Sequence, residues 1–239
     1  MSALAERLQS IRQRIASACD RSGRSPASVE LMGVSKNHPP EAVSEAVQLG
    51  LTLFGENRIQ EARAKIPLSP SVARWHFIGH LQSNKARDAV ALFEMVQGVD
   101  SIDVARELQK QAQKHSRRLA ILAEVNVAGE STKFGWNPET LLAALPAIAA
   151  LDRLDLKGLM TVAPYAADPE SARPVFRRLR EIQDQCEQQL RMPLPVLSMG
   201  MSGDLEVAIE EGATLVRVGT ALFGDRPRPI RPETTPSQP

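Results

Sequence analysis

The sequence predicts an α/β fold, a single (β/α)8 TIM barrel preceded by an N-terminal helix. Eight short apolar runs alternate with segments of helical character along the chain. The runs lack strict apolar–polar alternation, as expected for parallel strands that are covered on both faces. The length of 239 residues also fits, because α/β barrels of about this size form single domains. A doubly wound open sheet is the alternative arrangement.

The first predicted element is a helix, because apolar residues spaced three or four apart share one helix face. They are Leu4, Leu8, Ile11, Ile15 and Cys19. The predicted strands are Val29–Ser35, Leu51–Gly55, Trp75–Gly79, Glu94–Gly98, Leu119–Val127, Leu156–Val162, Pro195–Met201 and Thr214–Gly219. The predicted helices between them are Glu41–Leu49, Arg58–Lys65, Asn84–Ala91, Ile102–His115, Pro138–Ala150, Pro169–Arg191 and Asp204–Glu211.

Side chains that can cap helices mark three of these starts, at Ser101, Asn137 and Asp168. We assign residues 1–224 to the barrel domain and 225–239 to a tail. The tail reads DRPRPIRPETTPSQP, which has five prolines and almost nothing apolar to bury. Such a composition is typical of a disordered segment.

Composition excludes several functional classes. The 29 basic and 28 acidic residues give a formal net charge of +1, so the chain lacks the basic footprint of a nucleic-acid-binding protein. No apolar run approaches the roughly 18 residues of a membrane span, and the N-terminus lacks an apolar signal region. We therefore expect a cytoplasmic protein. Cys19 and Cys186 are too few for a disulfide framework, and Cys186 falls on an apolar helix stripe that indicates burial.

In such a barrel, function lies at the C-terminal ends of the strands, where the βα loops converge. The first predicted strand places Lys36 at this mouth. Lys36 is either a solvated loop residue or an amine that attacks a carbonyl group and forms an imine.

The ends of the last two strands indicate an anion site. Ser202 lies where the seventh strand runs into a helix start, and Arg217, Gly219 and Thr220 follow along the eighth strand. Backbone N–H groups, a hydroxyl and a guanidinium suit a phosphate. The alternative interpretation of these residues is structural: a turn with a salt-bridged arginine, and a helix-capping role for Ser202. Together with Lys36, the group predicts a site for a phosphorylated aldehyde.

Other polar residues follow strands two, three and five. Asn57 either contacts a ligand or caps a helix. His76 is interpreted as structural and His80 as a pocket candidate. His80 and His38 form no helix-borne pair and have no accompanying set of carboxylates, so no metal site is expected. Lys133 is either a second amine near the mouth or the partner of a surface salt bridge.

A set of motifs resembles a known family. GVSKNHPP, FGENRIQE, WHFIGHLQSNK, VNVAGESTKFG, KGLM, LSMGMSGD and VRVGTALFG occur in this order across residues 29–224. The chain resembles the YggS/PROSC family of pyridoxal 5′-phosphate (PLP) homeostasis proteins. The resemblance implies a PLP-binding barrel similar to the N-terminal domain of alanine racemase.

The resemblance also implies roles for individual residues. Lys36 matches the lysine that forms an aldimine with PLP. Ser202, Gly219 and Thr220 match the phosphate cradle, and Arg217 matches an arginine that faces the pyridine nitrogen. Asn57 and Met160 fall in motifs near the cofactor.

The function that the resemblance implies is control of PLP and amino-acid homeostasis without catalytic turnover. PLP and apo PLP-dependent enzymes are the expected partners, neither nucleic acid nor membrane is expected, and a monomer is expected. The alternative is a racemase-like PLP enzyme with weak activity. Racemisation needs acid–base groups on both faces of the cofactor, and the chain has one tyrosine, Tyr165. Pro40 replaces the tyrosine that follows the lysine by four residues in alanine racemase.

Overall fold

The computed structural model describes residues 2–130 and 132–225. In this part of the chain, eight parallel strands close into a barrel in sequence order, with the first strand hydrogen-bonded to the eighth. The strands are β1 (Glu30–Val34), β2 (Leu53–Glu56), β3 (Arg74–Phe77), β4 (Met95–Val99), β5 (Leu119–Glu124), β6 (Leu154–Met160), β7 (Val196–Ser198) and β8 (Leu215–Val218). The predicted TIM barrel is confirmed, and the open sheet is excluded.

Helices surround the barrel and connect its strands. They are α1 (Ala3–Arg21), α2 (Pro40–Gln48), α3 (Ile59–Lys65), α4 (Ala86–Leu92), α5 (Ile102–Lys114), α6 (Pro138–Ala149), α7 (Arg173–Leu190), α8 (Leu205–Glu210) and α9 (Thr220–Phe223). The segment predicted as helical from Pro169 begins with a 3-10 turn, Pro169–Ala172, before α7. The short helix α9 was not predicted, because four residues are too few to show a helical period.

The predicted caps are confirmed. Ser101 accepts a hydrogen bond from the Val104 N–H, and Asn137 accepts one from the Glu139 N–H. Asp168 caps the 3-10 turn that precedes α7 rather than an α-helix. Each cap satisfies a backbone donor that would otherwise lack an intrahelical partner.

The main core lies between the barrel and its helices and includes the apolar face of α1. Cys19 and Cys186 are both buried and free, which confirms their interpretation as small apolar residues. Burial raises the pKa of Cys186 to about 12, so this thiol is unreactive at neutral pH.

Two smaller apolar clusters fill the interior of the barrel itself. One contains Met32, Leu53 and Leu215, and the other contains Met95, Leu122 and Met160. Side chains alternate along a strand, so the next inward-facing positions toward the mouth include Gln97 on β4 and Arg217 on β8. The interior therefore changes from apolar to polar toward the C-terminal ends of the strands.

Within residues 2–130 and 132–225, none of the helices combines the length and apolar character that a membrane crossing requires. The predicted tail, 225–239, lies outside the described residues except for Asp225.

Candidate functional site

A cavity of about 480 Å³ opens at the mouth of the barrel. Five of the seven predicted cofactor-binding residues line it, and they come from the ends of β1, β7 and β8. They are Lys36, Ser202, Arg217, Gly219 and Thr220. Its size is within the range of about 300–1,000 Å³ that is usual for small-molecule sites. The structure thus brings together an amine, two hydroxyls and a guanidinium from distant parts of the sequence.

Arg217 is held rigidly on β8 and is only 4% exposed. Its Nη1 donates to Ser198 Oγ at 2.6 Å, and its Nη2 donates to the carbonyl oxygen of Thr161 at 2.8 Å. Burial lowers the pKa of Arg217 to about 10, while attraction to Glu124 and Asp204 opposes this change. Arg217 is therefore a fixed cation at neutral pH.

The hydrogen bonds from Arg217 continue as a chain across the barrel interior. Ser198 Oγ donates to Gln97 Oε1 at 2.7 Å. Gln97 Nε2 lies 3.0 Å from His76 Nδ1, and donation by the amide makes that nitrogen the acceptor. Burial, with a smaller contribution from the charge of Arg74, lowers the pKa of His76 to about 3. His76 is thus a neutral structural residue, as predicted.

The Ser202 loop is shaped by a glycine and tied to its neighbours. Gly200 has a φ of +92°, and a Cβ there would lie 2.5 Å from Ala208 Cβ, so the turn requires glycine. Ser202 Oγ accepts from the Ala221 N–H at 3.3 Å, which joins the loops after β7 and β8. The carbonyl oxygen of Ser202 accepts from Arg14 on α1 at 2.9 Å. Ser202 therefore does not cap α8, which was the alternative interpretation.

Two predicted residues do not reach this cavity. Asn57 lines a separate depression of about 210 Å³, which His80 also lines. Met160 is buried among Met95 and Leu122 inside the barrel. Asn57 directly follows β2 and Met160 is the last residue of β6, but neither lines the cavity that contains Lys36 and Arg217. Their contact with a cofactor stays a prediction.

The remaining polar candidates are engaged with other side chains. His80 Nδ1 lies 2.7 Å from Asp100 Oδ2, and its ring stacks on Phe134 with 3.6 Å between centroids. Lys133 Nζ lies 2.6 Å from Glu130 Oε1, which agrees with the salt-bridge interpretation. No cluster of His, Cys, Asp or Glu suited to a metal ion occurs in the described part of the chain.

Glu124, at the end of β5, was not predicted from the sequence as a residue of the site. Burial raises its pKa to about 7, with repulsion from Asp100 adding to the shift and attraction to Arg217 opposing it. The sequence could have indicated it, because side chains alternate between the two faces of a strand and Glu124 is two residues after the inward-facing Leu122. A partly buried carboxyl that titrates near neutral pH thus lies close enough to influence Arg217.

Comparisons with known proteins identify the family. Residues 6–227 match the family described as alanine racemase, N-terminal domain. The pyridoxal phosphate homeostasis protein of Aquifex aeolicus is 45% identical over 222 residues, which cover 92% of this chain and 97% of that protein. The one from Pseudomonas aeruginosa is 44% identical over 227 residues, which cover 95% and 97%. The chain belongs to the pyridoxal phosphate homeostasis protein family.

Solved structures agree with this membership. PipY of Synechococcus elongatus is 40% identical, and its structure with PLP bound covers 92% of this chain and 100% of PipY with a TM-score of 0.82. Its structure without PLP has a TM-score of 0.84 over the same coverage. The resemblance to pyridoxal phosphate homeostasis proteins that the motifs predicted is confirmed, as is the likeness to the N-terminal domain of alanine racemase.

Proposed function

We propose that this protein binds PLP in the cavity at the barrel mouth, holds it covalently through Lys36 and maintains the supply of PLP for amino-acid metabolism. The main support for this proposal is that one cavity is lined by Lys36, Arg217, Ser202 and Thr220. The names of the curated relatives and the PLP-bound structure of PipY support the proposal.

The chemistry of the donors fits the groups of PLP. PLP supplies an aldehyde that condenses reversibly with amines, and Lys36 provides the amine as a Schiff-base partner. Ser202 and Thr220 offer hydroxyls to the phosphate. Gly203 also lines the cavity, and a Cβ at this position would meet no atom within 4 Å, so the loop leaves room for a ligand beside its backbone.

Arg217 is the residue that suits the site to holding PLP rather than to catalysis with it. A guanidinium only donates hydrogen bonds and does not give up its proton at neutral pH. Facing the pyridine nitrogen, Arg217 would donate to it and leave the ring unprotonated, which weakens its capacity to withdraw electrons. The bonds from Arg217 to Ser198 and Thr161 prevent it from turning away. Such a site favours exchange of the aldehyde between amines over carbanion chemistry.

A racemase-like activity is the second candidate, because Tyr165 lines the same cavity. Tyr165 is 99% exposed, whereas an acid–base group needs a fixed position near the proton that it transfers. We therefore propose a role without catalytic turnover. Exchange of the amino-acid Cα proton for deuterium tests it, since robust Lys36-dependent exchange would establish an enzyme instead.

The absorbance spectrum tests the binding proposal. Wild-type protein should gain the visible band of an imine when PLP is added, and Lys36→Ala should not. Lys133→Ala provides a matched control, because Lys133 is also near the mouth but does not line the cavity. This variant should keep the wild-type spectrum. An unchanged spectrum in Lys36→Ala would refute the assignment of the lysine.

We also propose a cytoplasmic monomer that delivers PLP to apo-enzymes. The two buried free cysteines support a reducing compartment. The closed barrel supports the monomer, since closure leaves no strand edge in the sheet for pairing with another copy. Light scattering at increasing concentration would measure the mass, and a constant dimer mass would contradict the monomer.

A further inference from the structure

An ionic cluster lies next to the loop that contains Lys36. It consists of Glu56 and Lys65, which are buried, and Glu61, whose side chain is 21% exposed. Lys65 is only 4% exposed, and its Nζ donates to Glu56 Oε1 at 2.6 Å and Glu61 Oε1 at 2.8 Å. The same Nζ donates to the carbonyl oxygen of Ser35 at 2.7 Å. These bonds use all three N–H groups of the ammonium. None of the three cluster residues lines the cavity, so direct contact with a ligand does not explain the cluster.

The cluster holds the peptide groups on both sides of Lys36. The Ser35 carbonyl that binds Lys65 belongs to the peptide bond between Ser35 and Lys36. The Asn37 N–H, which belongs to the next peptide bond, donates to Glu61 Oε1 at 2.5 Å. Because each peptide group is planar, fixing both of them fixes the backbone dihedrals of Lys36. The direction in which the Lys36 side chain leaves the backbone is thereby set.

One further contact and one backbone feature strengthen this hold. Ser35 Oγ donates to Glu56 Oε1 at 2.7 Å, so Ser35 is tied to the cluster through both backbone and side chain. Asn37 has a φ of +63°, in the left-handed region that asparagine adopts more readily than most residues other than glycine. The bond from its N–H to Glu61 helps to keep it there. The chain on each side of Lys36 is thus restrained by groups from β2 and α3.

We propose that Glu61 and Lys65 are positioning residues that aim the Lys36 amine at the aldehyde of PLP. This inference rests on the proposed function. A nucleophile reacts fast when its approach is restricted to the productive direction, and small displacements slow the reaction. The cluster supplies that restriction from outside the cavity, without touching the phosphate or the ring.

Glu61→Ala tests the proposal with two ligands. PLP reports on the reaction of Lys36, whereas pyridoxine 5′-phosphate has an alcohol in place of the aldehyde and reports on binding alone. We expect the rate of imine formation with PLP to fall about tenfold, because the Asn37 N–H loses its bond to the charged Glu61 carboxylate and Lys65 loses one of its three acceptors. Affinity for pyridoxine 5′-phosphate should stay within about twofold of the wild type.

Matched variants separate positioning from general damage. In Glu61→Gln the amide oxygen can still accept from the Asn37 N–H, so the rate should return close to the wild-type value. Arg63→Gln changes the same helix at an exposed pair with Asp88, 3.5 Å apart, and should leave both ligands unaffected. If Glu61→Ala does not fold, Glu61→Asp keeps the charge but is one methylene shorter, and it should show the same selective loss.

Two results would overturn the positioning role and leave the proposed function standing. One is that the folded alanine or aspartate variant loses affinity for pyridoxine 5′-phosphate by the same factor as it loses rate with PLP. The other is that the folded variant forms the imine with PLP at the wild-type rate. Absence of any PLP adduct in the wild-type protein would instead overturn the proposed function, and this role with it.

Discussion

Ser198 is the link between the cationic Arg217 and the polar interior, so Ser198→Ala should destabilise the fold strongly. The substitution removes a bond of 2.6 Å from Arg217 and a bond of 2.7 Å to Gln97. A bond to a charged group contributes roughly 1.5–3 kcal/mol and one between neutral groups roughly 0.5–1.5 kcal/mol. Both partners remain buried, so we expect a loss of about 3 kcal/mol, a large part of a typical stability of about 5–15 kcal/mol.

Urea denaturation of the PLP-free protein measures this loss as a change in midpoint at constant slope. Ser44→Ala is the control, because the Ser44 hydroxyl only donates to the Pro40 carbonyl within its own helix, at 3.2 Å. Such a bond adds little to helix stability, and the control should change the unfolding free energy by less than about 0.5 kcal/mol. If the two alanine variants were equally stable, the polar chain would not anchor Arg217 as described.

Three other variants test the barrel and its charges. The folded protein holds a proton on Glu124 up to about pH 7, whereas the unfolded chain releases it near 4.5, so stability from this group falls as the pH rises between these values. The unfolding free energy of Glu124→Gln, measured by urea titration, should therefore rise by up to about 3 kcal/mol relative to that of the wild type as the pH increases from 5 to 8. A difference in unfolding free energy that does not change with pH would contradict the raised pKa of Glu124. Gly98→Ala should lower the thermal midpoint markedly, because its Cβ would overlap the carbonyl oxygen of Gly79, whereas Gly203→Ala has open space and should change it little. Equal midpoints for these two variants would show that the strand ends are not packed as described.

The fold was largely predictable, because short apolar runs, helical spacing of apolar residues and helix caps are local signals. The closed barrel follows from eight such units, and each predicted strand overlaps an observed one. Boundaries were less predictable: the run from Pro195 to Met201 yields only the three-residue strand β7, because the left-handed Gly200 turns the chain away. The 3-10 turn at Pro169 was also missed, since capping by Asp168 looks the same at either kind of helix.

The candidate site was predictable where residues lie at strand ends, as Lys36 and Arg217 do. The polar chain was not, because Gln97 and Ser198 are 101 residues apart and meet only across the closed barrel. The cluster around Lys65 was hidden for a related reason. A lysine at the end of a short helix is usually solvated, and only the packing of α3 against the Lys36 loop reveals its burial.

The most direct test of the central claim is the location of PLP on the protein. Borohydride reduction of the PLP-loaded protein converts the imine into a stable adduct, which peptide mass spectrometry can map. We expect one adduct per chain, on Lys36, and none in Lys36→Ala. An adduct mapped mainly to Lys133 or another lysine, or an unchanged yield in Lys36→Ala, would contradict the claim.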